Sequence, residues 1–212
     1  MNRPAGGVAI PRPAAPRAPA RRGVAYVVAG GVAGLAWAAG LRGFMVEVAG
    51  AETTVGWLAT FGGILLPGAV TGALLGRAEH LRRSGDDRFR RLLAAAPLAF
   101  VVANPYAFVT VVTEGGIGGA ALAVPLFGIA GGYALAGRGR RAGRVAAGVV
   151  ASIGILGWAA GAAVIGDRVP HLAPGTPRGA WVAVLYTASM AVLAMACAIP
   201  HRAADGPGAG TT

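Results

Sequence analysis

Six long apolar runs constrain this chain more than any other feature. They lie at about 23–41, 55–76, 92–112, 117–137, 145–166 and 180–199, and none contains a charged residue. Each has roughly the 20 residues that a helix rising about 1.5 Å per residue needs to cross about 30 Å of hydrocarbon. A bilayer offers no water to a backbone N–H or C=O, so a lipid-embedded run of this kind must satisfy its own hydrogen bonds by coiling into a helix. The expected fold is therefore all-α, a polytopic membrane protein built as a bundle of six transmembrane helices. Composition agrees: 55% of residues are hydrophobic and 13% charged, against about 25% charged in a soluble domain. That balance disfavours a soluble enzyme and excludes a disordered polyampholyte.

Flanking segments complete the expected organisation. Residues 1–22 carry five prolines and five arginines and read as a disordered basic tail. Residues 23–199 form the membrane domain, and 200–212 a short flexible Gly/Ala/Pro tail. All 19 basic residues are arginine, a codon-usage signature that points to a GC-rich bacterium. If the spans alternate, the tails and the 77–91 and 138–144 loops carry 16 arginines on one side, and Arg42, Arg168 and Arg178 lie on the other. Arginine-rich loops stay in the cytoplasm. The chain is thus expected in a bacterial cytoplasmic membrane with both termini inside, the net charge of +11 being an orientation signal. A nucleic-acid partner is not expected, because no aromatic side chain is interleaved with the tail arginines. The expected surroundings are the lipid bilayer, anionic lipid at the inner arginine loops, and a homo-oligomer or membrane-complex partner. Trp37, Trp57 and Trp181 fall at the outer ends of their runs and suggest an interfacial belt.

Local signals place the connections. Ser84-Gly85-Asp86-Asp87 breaks the chain after the second run, Thr53 and Thr54 can cap that run, and Thr176-Pro177 reads as an N-cap with proline at the first helical position.

Candidate chemistry is sparse. No ionisable group sits at mid-depth in any run, which argues against a proton relay or voltage sensor. His80, His171 and His201 all fall outside the runs. With one cysteine, Cys197, no internal disulfide can form, and neither a cofactor nor a metal site is expected. No zinc, nucleophile-elbow or Walker motif is present, so no catalytic residue can be assigned.

Two constellations remain. An outer polar cluster holds Arg42, Glu47, Glu52 and Glu114, with Asp167 nearby. The apolar segment 44–54 would pack as an extra turn, with Arg42 as the nearest partner of Glu47, and the three glutamates could line a cation or amine site. The other constellation is a set of interrupted helices: Asn104-Pro105-Tyr106 in the third run, Pro125 in the fourth, and Gly62-Gly63 with Pro67 in the second. Proline removes a backbone donor and frees a carbonyl, and broken helices of this kind bind substrate in transporters. Asn104 is the only amide side chain in any run, so Asn104 with Tyr106 is the expected solute contact. Gly68, Gly72 and Gly76, spaced by four, mark a helix-packing face, with homodimerisation as the second use of it.

The six runs in 212 residues and the stretch Gly128-Ile129-Ala130-Gly131-Gly132-Tyr133 resemble the plan of the substrate-binding subunits of energy-coupling-factor vitamin transporters. No motif of that family carries a residue assignment onto this chain. The expected function is small-solute transport or solute binding by a multi-pass protein. The alternative is a non-catalytic accessory or scaffold subunit of a membrane complex.

Overall fold

The computed structural model describes residues 20–50, 53–86, 89–105 and 119–203. Among these residues every regular element is helical and none is a strand. Helix α1 spans Ala20–Ala49. A π-helical stretch, Trp57–Leu65, runs directly into α2, Leu66–Ser84. A 3-10 stretch, Leu92–Leu98, leads into the short α3, Ala99–Ala103. Then come α4, Gly119–Leu135, α5, Arg141–Arg168, and α6, Pro177–Cys197. Among the described residues, four helices are long and apolar enough to cross a membrane: Arg22–Ala49, Trp57–Ser84, Arg141–Ala159 and Pro177–His201. Two further apolar helices, Leu92–Ala103 and Leu122–Leu135, are shorter.

Contacts fix the relative directions. Tyr26, Gly30 and Gly34 meet Gly76, Gly72 and Gly68 in that order, so α1 and α2 are antiparallel. Thr71 bonds to Ala96 and Asn104 to Gly63, so the 3-10/α3 segment runs back along α2. Phe127, Gly131 and Ala134 face Gly154, Ala151 and Gly148, which makes α4 and α5 antiparallel. Trp37 bonds to Ser189 and Glu47 to Arg178, so α6 opposes α1. Gly128, Gly131 and Gly132 meet Leu193, Ala194 and Cys197, so α4 and α6 lie parallel. Direction therefore alternates from each apolar segment to the next.

The α1–α2 seam depends on glycine. A Cβ on Gly30 would strike the carbonyl oxygen of Gly72, one on Gly72 that of Gly30, and one on Gly76 that of Tyr26. Backbones can approach this closely only where there is no side chain, and in lipid, where apolar burial between helices gains little, such contact is what holds them. On its other side α1 exposes Val24, Val28, Val32 and Leu35, an apolar stripe at helical spacing that suits lipid rather than water.

Several local expectations are corrected. Segment 44–49 is helical, as an extra turn requires, but it is the uninterrupted end of α1 and not a re-entrant cap. The N-cap of the π stretch is Gly56, with no side-chain cap, so neither Thr53 nor Thr54 caps it. Trp37 is half-buried and tied into the bundle: its Nε1 donates to the Ser189 carbonyl at 2.8 Å, and its ring meets Phe100 edge-on. The third run is not one continuous helix. It starts as a 3-10 stretch containing Pro97 and breaks at Asn104. Other signals are realised: Thr176 Oγ1 accepts from Gly179 N at 3.0 Å, and Gly85 ends α2 at φ +75°.

Candidate functional site

The break in the third segment builds the most distinctive polar feature of the interior. Pro67 has no N–H to give where the π stretch passes into α2, and the Gly63 carbonyl at this junction accepts from a side chain. That side chain is Asn104, which donates Nδ2 to Gly63 O at 2.8 Å and to Phe100 O at 2.9 Å. The Asn104 backbone N–H turns instead to Val101 O at 3.3 Å. A side chain on Gly63 would collide with the carboxamide, whose Oδ1 lies 2.8 Å from where a Cβ would sit. The amide thus repairs a proline break and ties the third segment to the π stretch. Both its hydrogens are committed, which leaves Oδ1 as its remaining polar group.

Asn104 also lines a cavity of about 480 Å³. Leu41, Phe44 and Met45 of α1, Phe100, Phe127 of α4 and Tyr186 of α6 contribute to its wall. The aromatic side is ordered. Phe44 meets Trp158 edge-on at 4.9 Å and Tyr186 at 5.2 Å, while the Tyr186 hydroxyl donates to Gly154 O at 3.1 Å. That hydroxyl keeps an accepting lone pair. The wall is therefore apolar and aromatic with two acceptors, Asn104 Oδ1 and Tyr186 Oη, and no carboxylate or guanidinium among its described residues. It suits a largely apolar molecule carrying a hydrogen-bond donor. The kinks are visible in the sequence, whereas Phe44, Phe127 and Tyr186 do not stand out in it. They come from three separate helices, and nothing local distinguishes them from ordinary packing aromatics.

The outer polar cluster is arranged differently from expectation. Glu47 pairs with Arg178, Nε to Oε2 at 2.8 Å, and not with Arg42. The antiparallel meeting of α1 with α6 brings together groups 131 residues apart, which proximity along the chain cannot reveal. Arg42 turns to the Thr54 carbonyl at 2.6 Å. Glu47 and Arg178 keep 28% and 55% of their side-chain exposure, so the pair is a solvated clasp worth about 0–1 kcal/mol. Tyr106, Glu52 and Glu114 lie outside the described residues, and His171 is exposed. Among the described residues no three His, Cys, Asp or Glu side chains gather as a metal site would require. Gly68, Gly72 and Gly76 all face α1 within the chain.

Compared with protein-family models, curated proteins and solved structures, the chain matches none.

Proposed function

We propose that this chain is a six-span protein of a bacterial cytoplasmic membrane, with both termini inside, that binds a small, largely apolar solute in the Asn104 cavity, as a transporter or as the binding subunit of one. The observation that carries the reading is the cavity itself. Its volume of about 480 Å³ falls within the roughly 300–1,000 Å³ of small-molecule sites. Its lining includes Asn104, where the third segment breaks, and Pro125 of α4. The alternation of helix directions and the 16-to-3 division of arginines support the six-span, termini-inside arrangement.

The test is to purify the protein in mild detergent and extract it for small molecules by mass spectrometry, beside an Ala123→Phe variant that fills the cavity. A compound present with the wild-type protein and absent from the folded variant supports the reading; equal recovery from both defeats it. The alternative, a non-catalytic accessory subunit, is favoured by the close backbone approach of α1 and α2 and by the absence of charged groups among the described residues of the cavity wall. Affinity purification from the native membrane separates the two, since an accessory subunit brings a stoichiometric partner.

A further inference from the structure

The end of the bundle opposite Glu47 carries a second cavity, of about 510 Å³, lined by Arg90, Arg91, Tyr133, Arg138, Gly139, Pro200, His201 and Ala203. From its geometry we infer a specific binding site for a phosphate-bearing ligand, either a lipid headgroup or a soluble phosphate ester.

Four separate parts of the chain meet there. Arg90 and Arg91 precede the 3-10 stretch, Tyr133 lies near the end of α4, Arg138 lies in the α4–α5 connection, and His201 lies in the short helical turn Ile199–His201 after α6. The parts are tied to one another. Arg90 Nη1 donates to Arg202 O, and Arg82 Nη1 to Ala203 O at 3.2 Å, which pins the C-terminal segment against the end of α2. The Tyr133 ring meets His201 edge-on at 5.6 Å. Gly139 has φ +100°, and a Cβ there would collide with the Tyr133 hydroxyl, so the connection can lie against the ring only as glycine. Arg90 is 6% exposed.

Orientation in a membrane requires arginines in loops but not their convergence. Here the exposed guanidiniums of Arg91 and Arg138, from separate parts of the chain, border one concavity beside the buried Arg90, which is held by the Arg202 carbonyl. Gathering like charges costs repulsion, and an anionic phosphate group relieves it while matching the guanidinium fork with paired hydrogen bonds. The tyrosine and histidine can add neutral hydrogen bonds. Arg140 and Arg141 sit in or beside the same connection, are exposed, and do not line the cavity. They provide a control of equal charge.

The experiment uses the full chain with two probes: glycerol 3-phosphate titrated calorimetrically in detergent, and phosphatidylglycerol retained from mixed phosphatidylcholine nanodiscs, counted by native mass spectrometry. Arg91→Gln/Arg138→Gln is compared with Arg140→Gln/Arg141→Gln. All four side chains are exposed, and continued protection of the buried Cys197 from thiol reagents checks that both variants are folded. Saturable binding of a probe should weaken at least about tenfold in the first variant, the loss of two charge-assisted contacts, and less than about twofold in the second. Binding of glycerol 3-phosphate identifies a soluble ester; binding of phosphatidylglycerol alone identifies a headgroup. The inference is overturned if neither probe binds saturably, or if the two variants weaken binding equally, which is the mark of a diffuse field.

Discussion

Gly72→Ala tests the α1–α2 seam with a single methyl group. A Cβ at position 72 would overlap the Gly30 carbonyl oxygen and stand 2.7 Å from Gly34 Cα and 2.8 Å from Gly34 N. Carbon atoms pack at about 3.5–4.0 Å, so the helices must part by roughly 1 Å. Backbone has no rotamer through which to escape. A gap of about 0.5–1 Å forfeits a quarter to a half of each dispersion contact along the seam, and overpacking generally costs about 1–3 kcal/mol. Alanine recovers up to about 1 kcal/mol through helix propensity. The net expectation is a loss of about 2 kcal/mol, or about 4–8 °C in Tm for a chain of this size. Gly43→Ala is the matched control, because it lies in α1 with nothing within 4 Å of its added Cβ; it should be neutral or slightly stabilising. The assay is already present in the protein. Cys197, the only cysteine, is 1% exposed, so a fluorogenic maleimide reports unfolding as it labels the thiol during heating. If Gly72→Ala melts within about 2 °C of Gly43→Ala, close backbone approach does not hold these helices together.

Three further outcomes follow from the same contacts. Asn104→Ala orphans the Gly63 and Phe100 carbonyls and should destabilise by about 1–3 kcal/mol. The loss should shrink in a Pro67→Ala background, where residue 67 regains an N–H at this junction, and an unchanged loss in the double-mutant cycle would disprove the repair role. Glu47→Gln and Arg178→Gln should each move the thermal midpoint by less than about 4 °C, given an exposed pair worth about 0–1 kcal/mol; a larger drop would mean the clasp is buried in the membrane protein. In intact cells a membrane-impermeant maleimide should label Thr54→Cys but reach Arg140→Cys only after lysis, and the reverse pattern would invert the proposed orientation.

What could be read from the sequence divides along physical lines. Apolar length and charge-free runs are properties of single segments, so helices over 20–49, 141–168 and 177–197 were legible to within a few residues at most boundaries. So were caps with local chemistry: Thr176 before Pro177, and Gly85 after α2. The π stretch at 57–65 was not, because an all-apolar run has no polar residues to reveal a changed period. Proline flagged the breaks at 67 and 105 without showing which group would repair them, since the Asn104–Gly63 bond spans 41 residues. The glycines of α2 mark a face in the sequence, but their mates Gly30 and Gly34, also spaced by four, do not stand out among the chain's 36 glycines. Both cavities gather residues from three or more segments, and no linear spacing encodes that.

The place of α6 has a consequence for how the protein is assembled. The α1–α2 and α4–α5 pairs join sequence neighbours, so each can zip up soon after it leaves the ribosome. Helix α6 emerges last, yet it touches both halves: it receives the Trp37 indole at Ser189 and seats Leu193, Ala194 and Cys197 against the glycines of α4. It acts as the wedge that locks two preformed hairpins into one body. A nascent chain released before residue 177 would join its two hairpins only where the 3-10 stretch and α3 touch α4, a loosened state that membrane quality-control proteases are suited to recognise.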